Sequence, residues 1–191
     1  GEVLVDGVDV KEYPFSQLGG MIGIVPQKAV LFKGTIRHNM QWRDKNATDE
    51  DIWNALDIAQ AKDFVEKKPD KLDEMIIQEG KNLSGGQRQR LTIARALVGD
   101  PEILILDDSA SALDLATDAR LRKAIHEKTS GMTVFIVSQR ISSIKSADKI
   151  IVLDDGKIAG IGTHSELYNG CEGYKEICLS QLSGKEAQAN G

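Results

Sequence analysis

Ser84-Gly85-Gly86-Gln87 is the place in the sequence where residue type and spacing most clearly suggest chemistry. Serine followed three residues later by glutamine fits a capping box, with Ser84 at the N-cap and Gln87 at the third helical position. Two glycines in a first helical turn are poor helix formers, each costing about 1 kcal/mol against alanine. Bare backbone there lets something approach closely. A helix N-terminus with free N–H groups and a serine hydroxyl is a ready anion site. A helix start and nothing more is the plain alternative. The helix that follows reads as strong, with Leu91, Ala94, Leu97 and Val98 on its apolar face. Phosphate chemistry of this kind calls for a glycine loop, G-x-x-x-x-G-K-[ST], whose backbone amides and lysine hold phosphates. Gly-Lys occurs at 80–81, 156–157 and 184–185, followed by Asn, Ile and Glu, so these residues do not contain that loop.

The texture of the chain names the elements that must position such groups. "EVLVDGVDV" alternates around Asp6-Gly7, a hairpin turn pair. "GMIGIVPQ" reads as a strand ending at Pro26. From about Gly34 to Val98 the texture turns helical, in "GTIRHNM", "ATDEDIWNALDIAQ", "AKDFVEKK" and "QRQRLTIARALV". Thr48 suits an N-cap with Asp51 three residues on, and Ile52, Leu56 and Ala59 form an apolar stripe. After Gly99-Asp100-Pro101, "EILILDD" is a continuous apolar run, the pattern of a strand buried on both faces, and "MTVFIVSQ" reads as a second. "ATDARLRKAIHEKT" between them is helical. "KIIVLDDGKIAGIGTH" predicts two strands about Asp155-Gly156, and "HSELYNG" and "GYKEICLSQL" predict closing helices. Alternating strands and helices imply an α/β fold, a parallel sheet covered by helices, with the helical middle inserted into it.

Length and composition bound the function. A chain of 191 residues suffices for one sizeable core. Its 24 basic and 29 acidic residues give a formal charge of -5, which argues against a general nucleic-acid binder. The start lacks a basic region followed by a long apolar run, and "ILIL" and "VFIV" are far too short to span a membrane. Any membrane role must come through a partner. Cys171 and Cys178, seven apart, read as reduced thiols on one face of a terminal helix, because zinc needs more ligands at closer spacing. His38, His126 and His164 read as surface or structural residues.

"LSGGQRQRLTIARAL" resembles the signature motif of ATP-binding-cassette (ABC) ATPases. The likeness extends, at that family's spacing, to "IVPQ" before it and "ILILDD", "SALD", "IVSQR" and "LDDGKI…GTH" after it, over nearly all of residues 1–182. "PQKAVLFKGTIRHNM" resembles the exporter branch. The resemblance implies a P-loop NTPase-like (RecA-like) core in residues 1–33 and 99–191, an α-helical signature subdomain in 34–98, and antiparallel hairpins. ATP and Mg²⁺ are the implied cofactors. Gln27 matches the glutamine that reaches towards Mg²⁺ and the attacking water, and Asp107 matches the Walker B aspartate that holds the metal. A strand-end aspartate capping the next turn is the plainer alternative for Asp107. Ser84, Gly86 and Gln87, with Gly85 between them, match the groups that grip the γ-phosphate held by a second protomer. Ser111 and Asp114 match the ends of the loop that crosses to that protomer.

The sequence also departs from the family pattern. The residue after the Walker B aspartate is usually the catalytic glutamate; here it is Asp108, one methylene shorter. A shift of about 1 Å in a catalytic group can cost around a hundredfold in rate. The family histidine at the end of "VFIVS" is replaced by Gln139, which cannot carry the imidazole's charge or shuttle its proton. Gln78, beside Glu79, stands where relatives often have glutamate. Asp108 and Gln139 together predict the weakened site of a heterodimeric exporter on the cytoplasmic face of the cell membrane. Its expected partners are a second ABC ATPase protomer and membrane-spanning domains, not nucleic acid. The absent glycine loop predicts a domain without its N-terminal portion, inactive alone, with apolar surface left uncovered. The alternative is a non-catalytic regulatory module offering its signature face to another protomer.

Overall fold

The computed structural model describes residues 1–109 and 112–189, the side chains of 182–189 excepted. The chain divides into two compact units, residues 1–137 and 138–191, each with an apolar core.

The first unit opens with β1 (Leu4–Val5) and β2 (Val8–Asp9), antiparallel about Asp6 at φ 48° and Gly7 at φ 81°. Two left-handed central residues make the primed turn that an Asp-Gly pair favours. The helix α1 (Phe15–Met21) was not foreseen in the sequence: it buries none of its residues and includes Gly19 and Gly20, so no apolar stripe announces it. It runs into β3 (Ile22–Val25). Then come β4 (Gly34–Thr35), α2 (Ile36–Met40), α3 (Asp49–Ile58), α4 (Lys62–Glu66), β5 (Met75–Ile76), antiparallel to β4, and α5 (Gly85–Leu97). Thr48 and Asp51 form the expected capping box, and Ile52, Leu56 and Ala59 are fully buried. The unit ends with β6 (Ile103–Asp107), α6 (Leu115–Lys128) and β7 (Thr133–Val137).

Strands β3, β6 and β7 form a parallel sheet with β6 in the centre. Its inner face carries Gly23, Val25, Leu104 and Leu106, all buried. A Cβ at Gly23 would stand 2.5 Å from the Ala96 carbonyl oxygen, so only glycine lets α5 lie this close to the strand that leads to Gln27. The opposite face corrects the expectation of strands buried on both sides. Ile103 and Ile105 are half-buried, and Ile24, Phe135 and Val137 are more than half exposed. A continuous apolar run shows that both faces avoid water, not that this stretch of chain covers both.

Arg43 fastens the segment after α2 to the sheet. Its guanidinium donates to the carbonyls of Val98 (2.7 Å), Ile22 (2.8 Å) and Gly20 (2.7 Å). The Val98 and Gly20 carbonyls lie at the C-terminal ends of α5 and α1, where unpaired carbonyls favour a cation.

The second unit consists of α7 (Ile141–Ile144), β8 (Ile150–Asp154), β9 (Lys157–Gly162), α8 (His164–Gly170) and α9 (Glu172–Ala189). β8 and β9 pair about Asp155 and Gly156 as expected, and Thr163 caps α8 in a box with Glu166. Tyr174 and Cys178 are buried in its core with Ile150 and Leu167, and Tyr174 Oη lies 2.9 Å from His164 Nδ1. Cys171 and Cys178 are free thiols facing the same core, but Cys171 lies at the junction of α8 and α9 rather than within α9.

Candidate functional site

The helix α5 begins as its sequence predicts. Ser84 is the N-cap, its Oγ accepting from the Gln87 N–H at 3.2 Å, while Gln87 Oε1 accepts from the Ser84 N–H at 3.0 Å. This leaves the Gly85 and Gly86 amides, at the first two helical positions, with no acceptor inside the helix. The two glycines differ in surroundings. A Cβ at Gly85 would meet nothing closer than Arg88 Nη2 at 3.9 Å, whereas one at Gly86 would stand 3.3 Å from the Ala112 carbonyl oxygen. Gly86 therefore accommodates the chain's own 112–113 segment, and Gly85 faces open space. Arg88 closes the turn before the helix, donating to the Leu83 carbonyl at 2.7 Å, and Arg90 donates to the Gln60 carbonyl at 2.6 Å.

A second group gathers at the carboxyl ends of β3 and β6. Gln27 lies two residues beyond β3 and Asp108 one beyond β6. Gln27 Nε2 donates to Asp108 Oδ2 at 3.3 Å across 81 positions of sequence. Asp108 has φ 43°, a left-handed conformation that aspartate visits more readily than longer side chains. Its N–H donates to the Val137 carbonyl at 2.9 Å, which fixes its backbone against β7. Asp107 is exposed, and its carboxylate makes no hydrogen bond or ion pair among the described residues.

Asp114 is the N-cap of α6, with Oδ1 accepting from the Thr117 N–H at 2.9 Å. That bond from the Thr117 backbone, followed by the one from its side chain, holds the Asp114 carboxyl below its usual range. Ser111 lies outside the described residues. Gln139 belongs to the second unit, where its carbonyl accepts from Gln181 Nε2 at 2.6 Å and Gln181 Oε1 accepts from the Ile141 N–H at 3.0 Å.

The loop after Gln27 is held by residues that carry no motif. Asn39, fully buried, accepts from the Phe32 N–H at 2.8 Å and donates to the Phe32 carbonyl at 2.9 Å. Arg95 of α5 donates to the Val30 carbonyl at 2.9 Å. Both contacts end on backbone groups, so nothing in the residue types of the loop reveals them.

The donor set fits a hard cation bound mainly through a ligand. The described residues contain no group of three or more His, Cys, Asp or Glu able to hold a metal. Mg²⁺ is commonly held by one or two carboxylates together with phosphate oxygens and water rather than by an all-protein cage. The exposed Asp107 carboxylate, with Gln27 hydrogen-bonded to the next residue, Asp108, suits that mode. A ligand at the carboxyl ends of parallel strands is also where open α/β sheets bind their substrates.

Comparison with known proteins gives the family and the fold. The "ABC transporter" family profile matches residues 1–111. An uncharacterized ABC transporter ATP-binding protein of Mycobacterium tuberculosis is 45% identical over 184 residues, covering 95% of this chain and 31% of the relative. The probable multidrug resistance ABC transporter ATP-binding/permease protein YheI of Bacillus subtilis is 42% identical over 176 residues, covering 92% of this chain and 30% of the relative. Among solved structures, a bacterial Atm1-family ABC exporter with ATP bound matches with a TM-score of 0.90 and 35% identity, covering 95% of this chain and 32% of that one. The chain thus spans about a third of the length of the relatives it matches.

Proposed function

The chain belongs to the ABC transporter family, as an ATP-binding domain, and from that premise we propose that it couples ATP binding and hydrolysis to export by membrane-spanning domains. The observation that carries the reading is the Gln27–Asp108 hydrogen bond. It brings two motifs together at the carboxyl ends of adjacent parallel strands, one residue after Asp107.

In this reading Asp107 and the Gln27 side-chain oxygen hold Mg²⁺. When bound, the metal screens phosphate charge and polarises the γ-phosphoryl group. Asp108 accepts a hydrogen bond from the attacking water, and Gln27 holds the Asp108 carboxylate in place. Ser84 Oγ, the Gly85 and Gly86 amides and Gln87 face the γ-phosphate of ATP bound to a second protomer, with Ser111 and Asp114 on the crossing loop. Residues 34–98 form the helical subdomain, and 1–33 with 99–191 belong to the nucleotide core. The phosphate grip comes from sequence outside these 191 residues, which hold no glycine loop of their own.

The occurrence of both Asp108 and Gln139 in one sequence supports an asymmetric heterodimer at the cytoplasmic face of the membrane. Its site containing these two residues turns over slowly, while the signature of this chain serves the faster site. They equally favour a second reading, a non-catalytic module that only presents its signature face. The two differ in whether the longer protein hydrolyses ATP at all. A Mg-ATP titration of the 191-residue chain, its intact mass checked in the same sample, tests where the phosphate grip lies. No saturable binding at millimolar ATP is expected. Micromolar binding by the chain alone would contradict the proposal.

A further inference from the structure

Arg95 is the wrong residue for its surroundings if packing were its only task. It sits on α5 among the apolar residues Ile93, Ala94, Ala96 and Leu97, all buried. Among the described residues it forms no ion pair, and its Nη1 is buried with no hydrogen-bond partner. Burial alone pushes its guanidinium pKa down, with no carboxylate acting against the shift. Arg95 as a whole is half-buried, and a partly desolvated cation with no ion pair is a poor stabiliser where an apolar side chain of similar volume packs at less cost. What Arg95 does make is specific: Nη2 donates to the Val30 carbonyl at 2.9 Å, and Cζ lies 5.3 Å from the Phe32 ring centroid. Both contacts fall on the loop that starts at Gln27. The other anchor of that loop is Asn39, which binds both backbone groups of Phe32.

We propose that Arg95 is a positioning residue that ties the helix starting at Ser84 to the loop starting at Gln27, so that displacement of one end carries the other. The inference rests on the functional reading above, in which both ends act in one nucleotide cycle. Ser84 and Arg95 are eleven residues apart in a continuous helical run, about 16 Å at 1.5 Å per residue. A helix of that length moves as a rod. Val30 is three residues from Gln27, so little slack separates the anchored carbonyl from the side chain that reaches Asp108. Of the two loop anchors, Asn39 belongs to α2, and Arg95 supplies the link to the signature helix itself.

The test combines hydrogen exchange with kinetics on the longer protein. Arg95→Met keeps the length and apolar stem but removes every donor. Exchange in peptides covering residues 28–33 is expected to quicken at least tenfold without nucleotide, while α3 is unchanged. Arg95→Lys, which retains a donor within reach of Val30, is expected to recover most of that protection. ATP turnover in Arg95→Met is expected to lose at least fivefold in kcat with less than a twofold change in KM, because the helix that starts at Ser84, which serves the faster site, loses its tie to the loop while no group that grips ATP is removed. If Arg95→Met does not fold, Arg95→Gln carries the same expectation, since its shorter amide stops short of Val30. Loop exchange within twofold of the unsubstituted protein in the donor-deficient variant that folds would overturn the proposal. The exchange result needs no ATP hydrolysis, so it stands or falls separately from the functional reading.

Discussion

Asp108 is where backbone conformation and side-chain length meet. Its φ of 43° suits aspartate, and the Val137 carbonyl holds its amide and so fixes where the side chain starts. Glutamate at this position regains the missing methylene but accepts a left-handed backbone at a cost of about 1 kcal/mol. Asp108→Glu combined with Gln139→His in the longer protein is therefore expected to raise single-site ATP turnover at least tenfold while lowering the unfolding free energy by about 1 kcal/mol. Single-turnover kinetics beside a denaturant titration would show both; an unchanged rate would mean the two residues are not what slows the site. Gly85 offers a cleaner separation. A Cβ there meets open space, and alanine is a better helix former than glycine by about 1 kcal/mol. Gly85→Ala is expected to stabilise the fold by up to that amount yet reduce ATPase activity at least fivefold, because the proposed ligand needs the bare backbone. Stabilisation without loss of activity would remove Gly85 from the site.

At the scale of elements, polar caps define where helices start. Thr48→Ala is expected to cost about 1 kcal/mol of stability, measured by thermal or urea unfolding. The acidic partners in these caps have a pH signature. Hydrogen bonds from the Thr48 side chain and backbone lower the Asp51 pKa, and bonds from the Thr163 backbone and side chain lower that of Glu166. A depressed carboxyl pKa contributes stability that is complete above the unfolded value and lost as pH falls through the folded one. Unfolding free energy should thus be insensitive to these groups near neutral pH and decline below about pH 4, less steeply in the Thr48→Ala, Thr163→Ala double variant. A double variant with the unsubstituted acid slope would show that the caps do not hold the carboxylates. The Ser84 and Thr48 caps were legible in sequence because serine or threonine with an acid or amide three residues later is a local code, one that Thr163 and Glu166 also carry. The helix α1 was not, since Phe15 is 92% exposed and no residue of it is buried. Arg43, Arg95 and Gln181 escaped notice for a related reason: they bind backbone carbonyls up to 65 positions away, and carbonyls have no sequence.

For the whole molecule, the sheet states what it needs. Ile24, Phe135 and Val137 present an apolar face, and β7 pairs with no described strand except β6. Apolar sheet surface of this kind favours association. The chain on its own is expected to self-associate, and Phe135→Lys to shift it towards monomer in analytical ultracentrifugation. A monomeric unsubstituted chain would mean that this face is satisfied some other way. The parallel sheet and helical middle were readable from alternation of texture, and the Gln27, Ser84 and Asp107 positions from motif. The Gln27–Asp108 contact was not, because it depends on which strands become neighbours. In the proposed heterodimer the signature of this chain serves a working ATP site while its own Asp108 belongs to a slow one. Steady-state ATPase of the longer protein with Ser84→Ala or Asp108→Asn tests this most directly. Ser84→Ala is expected to lose activity at least tenfold, and Asp108→Asn to stay within twofold of the unsubstituted protein. A loss in Asp108→Asn as large as that in Ser84→Ala would contradict it.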